Sequence, residues 1–316
     1  MSALRKEYNI TEGPLEWCLG MEVIRSPGKI ELKQTKYICD ILERFQMQDC
    51  KPASVPIDPG MIFSLKDSPA TEQEKQQMLV KPYSQYRSLV GALLYCAVAT
   101  RPDIATAVSK AGHVMANPSP THYKQALHIL RYLQGTKDKG ILFTAGSGLA
   151  QDTLEGWCDA DLAGCVDSRR STSGYVFHLN GGPVAWQSKL QGSVAMSTTE
   201  AEYIALSAAA LEAVFLRGLL HDLDCNQEEP TIIREDNFGC VQLTKNEVLH
   251  SRTKHIDIRH HKLRELVADK TIAVHQCPTE LMLADILTKP LPKQKFLSLF
   301  SDKLLGYSGD IDGASQ

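Results

Sequence analysis

The sequence lacks every cysteine pattern that would define a zinc-bound or disulfide-linked fold. Its nine cysteines include no CxxC pair, and no set of cysteines and histidines has the spacing of a structural zinc site. The first residues, MSALRKEYN, are charged and contain no apolar core, so we expect no secretory signal. Together these absences predict a reduced, intracellular compartment.

Long apolar runs and a strong net charge are missing too. The most apolar window, Leu89 to Ala99, is too short to cross a bilayer, so we expect no membrane partner. A formal net charge of -3 gives no overall attraction to nucleic acid, so such binding would need a local patch. What remains is an ordinary globular composition in 316 residues, which predicts two domains or one large domain with appendages.

The first half of the chain reads as a hairpin followed by helices. EWCLGMEVI and IELKQ predict two strands joined by the turn SPGK, and apolar residues from Ile38 to Phe45 repeat with helical spacing. KPASVPIDPGM predicts a linker, and residues 64–82 predict a mobile loop. Three helices follow, the last with Ser119 or Thr121 as its N-cap and Gly135 as its stop, so this region predicts a small helical module.

The second half has a mixed α/β pattern in the order β-β-β-α-β-α-β-α. TLEGWCDA predicts a strand, GYVFHL and PVAWQS flank the hairpin signal NGG, and a long helix is predicted from about Thr199 to Leu223. TIIRED and TIAVHQ predict two more strands, separated by a helix from about His255 to Asp269. A last helix is predicted to begin near Thr279 and to be cut short by Pro290.

Four acidic residues lie at the ends of strands or near the starts of helices, on four different elements. Asp159 and Asp236 end strands, Glu202 lies in the first turn of the long helix, and Asp285 lies early in the last helix. If the four carboxylates converge at one end of the sheet, their repulsion requires a cation. Hard oxygen ligands suit Mg²⁺ or Mn²⁺, and two such ions can activate water and stabilise the leaving oxygen of a phosphodiester.

Each carboxylate also has an ordinary structural interpretation. Asp161 competes with Asp159, because residues i and i+2 of a strand share a face. Glu200 and Glu202 point about 200° apart on a helix, so only one can face the site. Asp159 could simply cap a turn, and Asp285, a lone acid in LADIL, could be an edge position. Glu200 could simply favour the helix dipole, and Asp236 could simply begin a helix in the sequence DN. If all four acids have only such structural roles, their placement on these four elements in this order requires four coincidences.

Several long motifs resemble one family. WCDADLAGCVDSRRSTSGYVFHLNGGPVAWQSKLQ, STTEAEYIAL, EDN, HSRTKHIDIRHHKLRELV and LADILTKPLP resemble the ribonuclease H domain of copia-type LTR retrotransposon polyproteins. LEWCLGMEV, KYICDILERFQMQDCKPASVPID, YRSLVGALLYCAVATRPDIATAV and LRYLQGTKDKGI resemble the end of the reverse transcriptase and the connecting helices of the same family. The resemblance covers nearly the whole chain.

The resemblance implies an RNase H-like fold, a five-stranded mixed sheet with helices, preceded by a small, mostly helical thumb or connection module. It divides the chain into a remnant of the reverse transcriptase palm end or thumb (1–58), a helical thumb or connection (59–147), the RNase H-like domain (148–300) and a disordered tail (301–316). It also implies hydrolysis of the RNA strand of RNA–DNA hybrids with two divalent ions. The motifs place Asp159, Glu202, Asp236 and Asp285 as catalytic residues and metal ligands.

The family's polymerase motif, a YVDD-like pair, is absent from the sequence. We therefore expect no polymerase activity and interpret the chain as a C-terminal piece of a polyprotein. A full-length reverse transcriptase is then a candidate partner. The resemblance implies an intracellular location, in the cytoplasm, in virus-like particles or in the nucleus.

Basic residues in two segments are candidates for binding nucleic acid. Their functional interpretation is a set of phosphate contacts that read hybrid shape, and the alternative is a solvated helix face and a polar turn. The candidates are Arg169, Arg170, Arg252, Lys254, Arg259 and Lys262.

Two rival functions stay open at this point. The first is a non-catalytic transposon remnant or hybrid-binding fragment, which would bind hybrid without cutting it. The second is an integrase-like strand-transfer enzyme, which the hairpin, the acidic residue early in the long helix and the ending LADILTKPLP all disfavour.

Overall fold

The computed structural model describes residues 14–146, 152–245, 254–300 and 304–305, and within 254–260 it describes the backbone. The predicted disordered tail lies outside these residues, except for Leu304 and Leu305, which are buried. Arg252 also lies outside them.

The predicted N-terminal hairpin is present, but it belongs to a larger sheet. Strands β1 (Trp17–Cys18), β2 (Met21–Ser26), β3 (Lys29–Lys33) and β4 (Ile141–Thr144) form an antiparallel sheet in the order β1-β2-β3-β4. Gly28 adopts a positive φ of 71° in the β2–β3 turn, a conformation that glycine adopts without strain. Because β4 pairs with β3, the two predicted units 1–58 and 59–147 share one sheet. The predicted division into domains stays a prediction.

Five helices follow the hairpin: α1 (Thr35–Arg44), α2 (Glu72–Met78), α3 (Tyr86–Ala99), α4 (Ala105–His113) and α5 (Pro120–Gly135). Ser119 caps α5, since its side chain accepts a hydrogen bond from the His122 amide. The prediction that residues 64–82 form a loop is wrong. A 3₁₀ turn occupies Leu65–Asp67, and a capping box between Thr71 and Glu74 starts α2.

The second half folds around the predicted five-stranded mixed sheet. Its strands are β5 (Glu155–Asp161), β6 (Thr172–Leu179), β7 (Gly182–Leu190), β8 (Thr231–Glu235) and β9 (Ile272–Gln276), in the order β7-β6-β5-β8-β9. The first three are antiparallel, and β5, β8 and β9 run parallel. The predicted α/β fold is therefore confirmed.

Among the described residues of the second half, four helices accompany this sheet: α6 (Thr198–Asp222), α7 (Phe238–Lys245), α8 (Lys254–Ala268) and α9 (Lys293–Phe300). Helix α6 is long and apolar enough to cross a membrane, but its buried face packs against the sheet as the core helix of a domain does. The prediction of a last helix that begins near Thr279 is wrong. Two 3₁₀ turns, Thr279–Leu281 and Leu283–Leu287, replace it, and α9 begins only after Pro290 and Pro292.

The two halves share one hydrophobic core. Buried residues of α1 and α3–α5 contact Val176 of β6, the 3₁₀ turn Leu283–Leu287 and the C-terminal α9. Hydrogen bonds also cross the same boundary, among them those from Thr106 Oγ1 to the Ile286 carbonyl at 2.7 Å and from Trp186 Nε1 to the Ala97 carbonyl at 2.7 Å. This packing fixes the 3₁₀ turn that carries Asp285 against the end of the sheet.

Candidate active site

Strand β5 delivers the first carboxylate of the site. Cys158 and Ala160 pack toward α6, which places Asp159 and Asp161 together on the opposite face, as the period of a strand requires. Asp159 is buried and pairs in register with Gly174 of β6. Asp161 is the last residue of the strand, is half-buried, and lines a groove with Lys110 and His113 of α4.

Three of the predicted carboxylates converge. One oxygen from each of Asp159, Glu202 and Asp236 lies within 4.8 Å of the other two. Glu202 is buried and is the fifth residue of α6, in its second turn rather than its first. Asp236 follows β8, and its carboxylate accepts a hydrogen bond of 2.9 Å from Thr279. The site therefore draws on three elements, two neighbouring strands and the long helix.

The fourth carboxylate, Asp285, is tied to this group through a lysine. Asp285 is fully buried in the 3₁₀ turn, where Lys289 Nζ lies 2.6 Å from its Oδ1. Lys295 forms a second ion pair with Asp285, and Lys289 Nζ also lies 3.4 Å from Asp159. Lysine ammonium groups thus balance the Asp285 charge, and Lys289 lies between Asp159 and Asp285.

The turn approaches β6 closely because residue 174 is glycine. A Cβ at Gly174 would lie 2.7 Å from Thr288 Cγ2 and 2.8 Å from Leu287 Cβ. These contacts are shorter than real side chains tolerate, so a larger residue would displace the turn. The close approach lets the buried Thr288 hydroxyl donate a hydrogen bond to Asp159 Oδ2.

Burial and mutual repulsion make the charged forms of these acids costly. Burial raises the pKa of Asp159 to about 6, partly opposed by Lys289. Burial, with Glu235 and Asp159 nearby, raises the pKa of Glu202 to about 11. Burial also raises the pKa of Glu235 to about 8, although it accepts hydrogen bonds from the Asn237 amide and the Cys158 thiol. In each case burial disfavours the ionised carboxylate, and neighbouring carboxylates disfavour it further.

The donor set fits a divalent cation. Glu202 Oε2 is buried and has no hydrogen-bond partner among the described residues, so the site holds an acceptor for which the described part of the chain supplies no donor. Three converging carboxylates are the hard oxygen ligands that Mg²⁺ and Mn²⁺ prefer. Asp159, Glu202 and Asp236 would hold such an ion.

The competing acids have structural roles. Glu200 caps α6 by accepting a hydrogen bond of 2.8 Å from the Met196 amide, while its own amide donates to Ser197. Asn237, not Asp236, caps α7 by accepting from the Cys240 amide at 2.9 Å. The choice of Glu202 over Glu200 agrees with the geometry, and the Asp236 carboxylate is left available to the site.

Sequence reasoning missed four residues of the site: Glu235, Thr288, Lys289 and Lys295. Two of them leave a signal. Lys289 lies four residues after Asp285, the spacing of an ion pair on one helical face. Glu235 shares the strand face of Thr231 and Ile233, all three of them buried, so alternation along TIIRE predicts its burial. Thr288 and Lys295 leave no such signal.

The predicted nucleic-acid contacts are described only in part. Arg169 and Arg170 are exposed in the loop between β5 and β6, and Lys262 is exposed on α8, 3.3 Å from Glu265. Arg252 and the side chains of Lys254 and Arg259 lie outside the described part of the chain. The role of all six residues stays a prediction.

Curated relatives cover nearly the whole chain. It is 42% identical over 296 residues, 93% of its length, to the retrovirus-related Pol polyprotein from transposon TNT 1-94 of Nicotiana tabacum. It is 36% identical over 305 residues to the corresponding polyprotein from transposon RE2 of Arabidopsis thaliana. A 131-residue stretch is 53% identical to secreted RxLR effector protein 161 of Plasmopara viticola and covers 90% of that protein. No protein-family model matches.

Acidic residues at the end of a mixed five-stranded sheet define an α/β protein with a candidate cation site. The chain belongs to the retrovirus-related Pol polyproteins of copia-type transposons. It spans 22% and 20% of the lengths of the tobacco and Arabidopsis polyproteins. Among solved structures, LC11-RNase H1 covers 44% of the chain with 17% identity and a TM-score of 0.34.

Proposed function

We propose that this chain is a metal-dependent endonuclease of the ribonuclease H type, which hydrolyses the RNA strand of RNA–DNA hybrids. The convergence of Asp159, Glu202 and Asp236 carries the proposal. Membership in the Pol polyproteins supports a nucleic-acid substrate. The YVDD-like polymerase motif is absent from the sequence, so polymerase activity forms no part of the proposal.

The side chains of the site prepare it for Mg²⁺ or Mn²⁺. Two bound ions would supply an activated water and stabilisation of the leaving oxygen. Thr288 orients Asp159 through its hydroxyl, and Thr279 orients Asp236. The buried Glu202 contributes an oxygen that has no hydrogen-bond partner in the described residues. Asp285, predicted as a further ligand, contributes to this proposal through Lys289, which contacts both Asp285 and Asp159.

The substrate would be recognised by shape and charge. The exposed Arg169 and Arg170 lie on the loop that follows the strand carrying Asp159, where they are available to phosphates. Contacts to phosphate and to 2′-hydroxyl groups distinguish a hybrid without reading its sequence. An intracellular location remains part of the proposal.

Cleavage of an end-labelled RNA–DNA hybrid by the purified chain tests the proposal. We expect Mg²⁺- or Mn²⁺-dependent cutting of the RNA strand alone. Asp236→Asn should reduce the rate by at least 100-fold, since it removes a charged ligand while keeping the shape of the side chain. The matched control is Asp222→Asn at the exposed end of α6, which should cut like the wild type.

Two results would overturn the proposal. One is cutting by Asp236→Asn at the wild-type rate. The other is failure of a well-folded wild type to cut in either metal. Hybrid binding without cutting would establish the rival function, a non-catalytic binding fragment.

A further inference from the structure

A second group of potential metal ligands lies apart from the carboxylates. His113 ends α4, and Cys165 and Asp167 lie in the loop between β5 and β6. The three donor atoms lie within 4.8 Å of one another. His113 Nε2 is 3.4 Å from Asp167 Oδ2 and 3.9 Å from Cys165 Sγ. The group therefore joins the helical module to the loop that follows β5, the strand that carries Asp159.

Two of these residues are held in place by hydrogen bonds, Asp167 through its carboxylate and Cys165 through its backbone. Asp167 accepts hydrogen bonds from the Ser64 hydroxyl at 2.8 Å and from the Leu65 amide at 2.9 Å. The Cys165 amide donates to the Arg170 carbonyl at 3.1 Å, and its carbonyl accepts from the Arg169 amide at 2.8 Å. A carboxylate has about four acceptor positions, so two hydrogen bonds leave Asp167 able to bind a cation.

The chemistry and spacing of the three donors suit one metal in particular. A thiolate, an imidazole and a carboxylate form the borderline-soft donor set that zinc prefers, whereas Mg²⁺ prefers oxygen alone. Tetrahedral zinc with ordinary bond lengths would separate a sulfur and a nitrogen ligand by about 3.5 Å, and a nitrogen and an oxygen ligand by about 3.3 Å. The two corresponding separations, 3.9 Å and 3.4 Å, are within 0.4 Å of these values, and Cys165 Sγ lies within 4.8 Å of an Asp167 oxygen.

We propose that His113, Cys165 and Asp167 form a three-ligand Zn²⁺ site that ties the helical module to the β5–β6 loop. His113 and Cys165 line a groove of about 340 Å³, so a fourth position would be open to water. As the ion binds, a sulfur–zinc bond replaces the S–H bond of Cys165, and the thiol proton passes to solvent. This site is independent of the proposed nuclease function.

The alternative is a contact between modules that holds no metal, in which Cys165 and His113 share a weak hydrogen bond and Asp167 pairs with His113. The absorption spectrum of the cobalt(II)-loaded protein distinguishes the two interpretations. Cobalt(II) in a zinc site with a thiolate ligand gives a near-ultraviolet charge-transfer band, which cobalt bound only by carboxylates does not give.

Cobalt titration of the full chain, followed by displacement with zinc, tests the site. We expect a charge-transfer band that saturates at one equivalent, is absent in Cys165→Ser and needs at least tenfold more cobalt in His113→Ala. Matched controls are Cys39→Ser and His221→Ala, both exposed, which should titrate like the wild type. Asp236→Asn should lose cleavage yet keep the band, which separates this site from the carboxylates.

Two outcomes would overturn the zinc site. One is a band that persists unchanged in Cys165→Ser, which would assign it to another thiol such as Cys158. The other is the absence of any band from a wild type that shows its normal cooperative thermal unfolding, which would leave only the metal-free contact between modules.

Discussion

At the scale of single residues, the site is defined by how its negative charge is compensated. Asp285 is paired with Lys289 and Lys295, whereas Asp159, Glu202 and Asp236 lie together with less compensation. Although burial lowers the pKa of Lys289, the Asp159 and Asp285 carboxylates raise it above its usual value. Lys289 is therefore a fixed positive charge beside the candidate cation site and should compete with a metal ion for Asp159.

Lys289→Met should therefore increase the affinity of the chain for Mn²⁺. The loss of one positive charge about 3–4 Å from a ligand at a partly exposed site predicts a change of about 1 kcal/mol, or roughly fivefold. Isothermal titration with Mn²⁺ measures it directly. Lys295→Met is the matched control, because Lys295 contacts Asp285 and not Asp159, and its effect should be smaller. Weaker Mn²⁺ binding in Lys289→Met would show that the lysine supports the site instead of competing for it.

Arg169 and Arg170 provide a second test at this scale. If both contact phosphates, the double variant Arg169→Ala/Arg170→Ala should weaken hybrid binding and reduce the slope of log K against log salt by about 1 to 2. Fluorescence anisotropy with a labelled hybrid between 50 and 200 mM salt, a range over which phosphate contacts change affinity strongly, measures both quantities. An unchanged slope would assign the arginines to a polar turn. Lys139→Ala/Lys137→Ala, in a different loop, controls for the loss of two charges.

At the scale of elements, the site depends on one close approach. The 3₁₀ turn Leu283–Leu287 and the following Thr288 pack on β6 directly over Gly174. The packing positions Thr288 and Lys289 beside Asp159, so a strand residue without a side chain controls the geometry of a carboxylate on the neighbouring strand.

Gly174→Ala should therefore destabilise the protein and impair the site together. Overpacking of a tight contact costs about 1–3 kcal/mol, and displacement of the turn should lower Mn²⁺ affinity and cleavage. Thermal unfolding and metal titration measure the two effects. Gly218→Ala, in an open position on α6, should instead raise stability by up to about 1 kcal/mol. A Gly174→Ala variant as stable as the wild type would contradict the close approach.

At the scale of the whole molecule, the helical module and the sheet domain share a core, so the site is held from both sides. The helical module also contains a buried ion-pair network. Arg101 is fully buried, forms a two-bond ion pair with Asp103, and donates to the carbonyl and hydroxyl of Thr136. Breaking such a pair would leave a buried charge without a partner, which costs several kcal/mol. The network therefore favours one arrangement of the segments that it joins.

Buried acids make the stability of the metal-free protein depend on pH. The pKa of Glu235 rises to about 8 on folding, from an ordinary value near 4.5. The folded state therefore holds a proton that the unfolded state releases, so the stability present below about pH 4.5 is lost as the pH rises through about 8. Burial of the carboxylate is the main physical reason, and repulsion from Asp159 and Asp236 adds to it.

Glu235→Gln should remove this dependence. In EDTA at pH 8 the variant should be more stable than the wild type by about 4 kcal/mol, and the difference should shrink toward pH 5. Calorimetric unfolding at the two pH values measures it. Glu228→Gln, on an exposed loop, should unfold like the wild type at both. A constant difference between Glu235→Gln and the wild type at pH 5 and pH 8 would assign the effect to packing rather than to ionisation.

The sequence by itself determined the features that depend on near neighbours. Short strand-like runs and the hairpin signal NGG predicted the five strands of the mixed sheet. Ser119, one of two predicted caps, marked the start of α5, and the helical angle separated Glu202 from Glu200. These signals act within a few residues, where backbone geometry relates side chains directly. The missed helix α2 has no buried residue, so its polar sequence carried no apolar period and only its capping box could have indicated it.

Only the tertiary structure decided which distant residues meet. Thr288 reaches Asp159 across 129 positions, and His113 reaches Cys165 across 52, although no cysteine and histidine spacing in the sequence indicated a metal site. The prediction of a helix around Asp285 failed for the same reason, because packing of the apolar turn into the shared core overrode its local helical pattern. Contacts of this kind depend on how the two halves dock, and no local pattern records that arrangement.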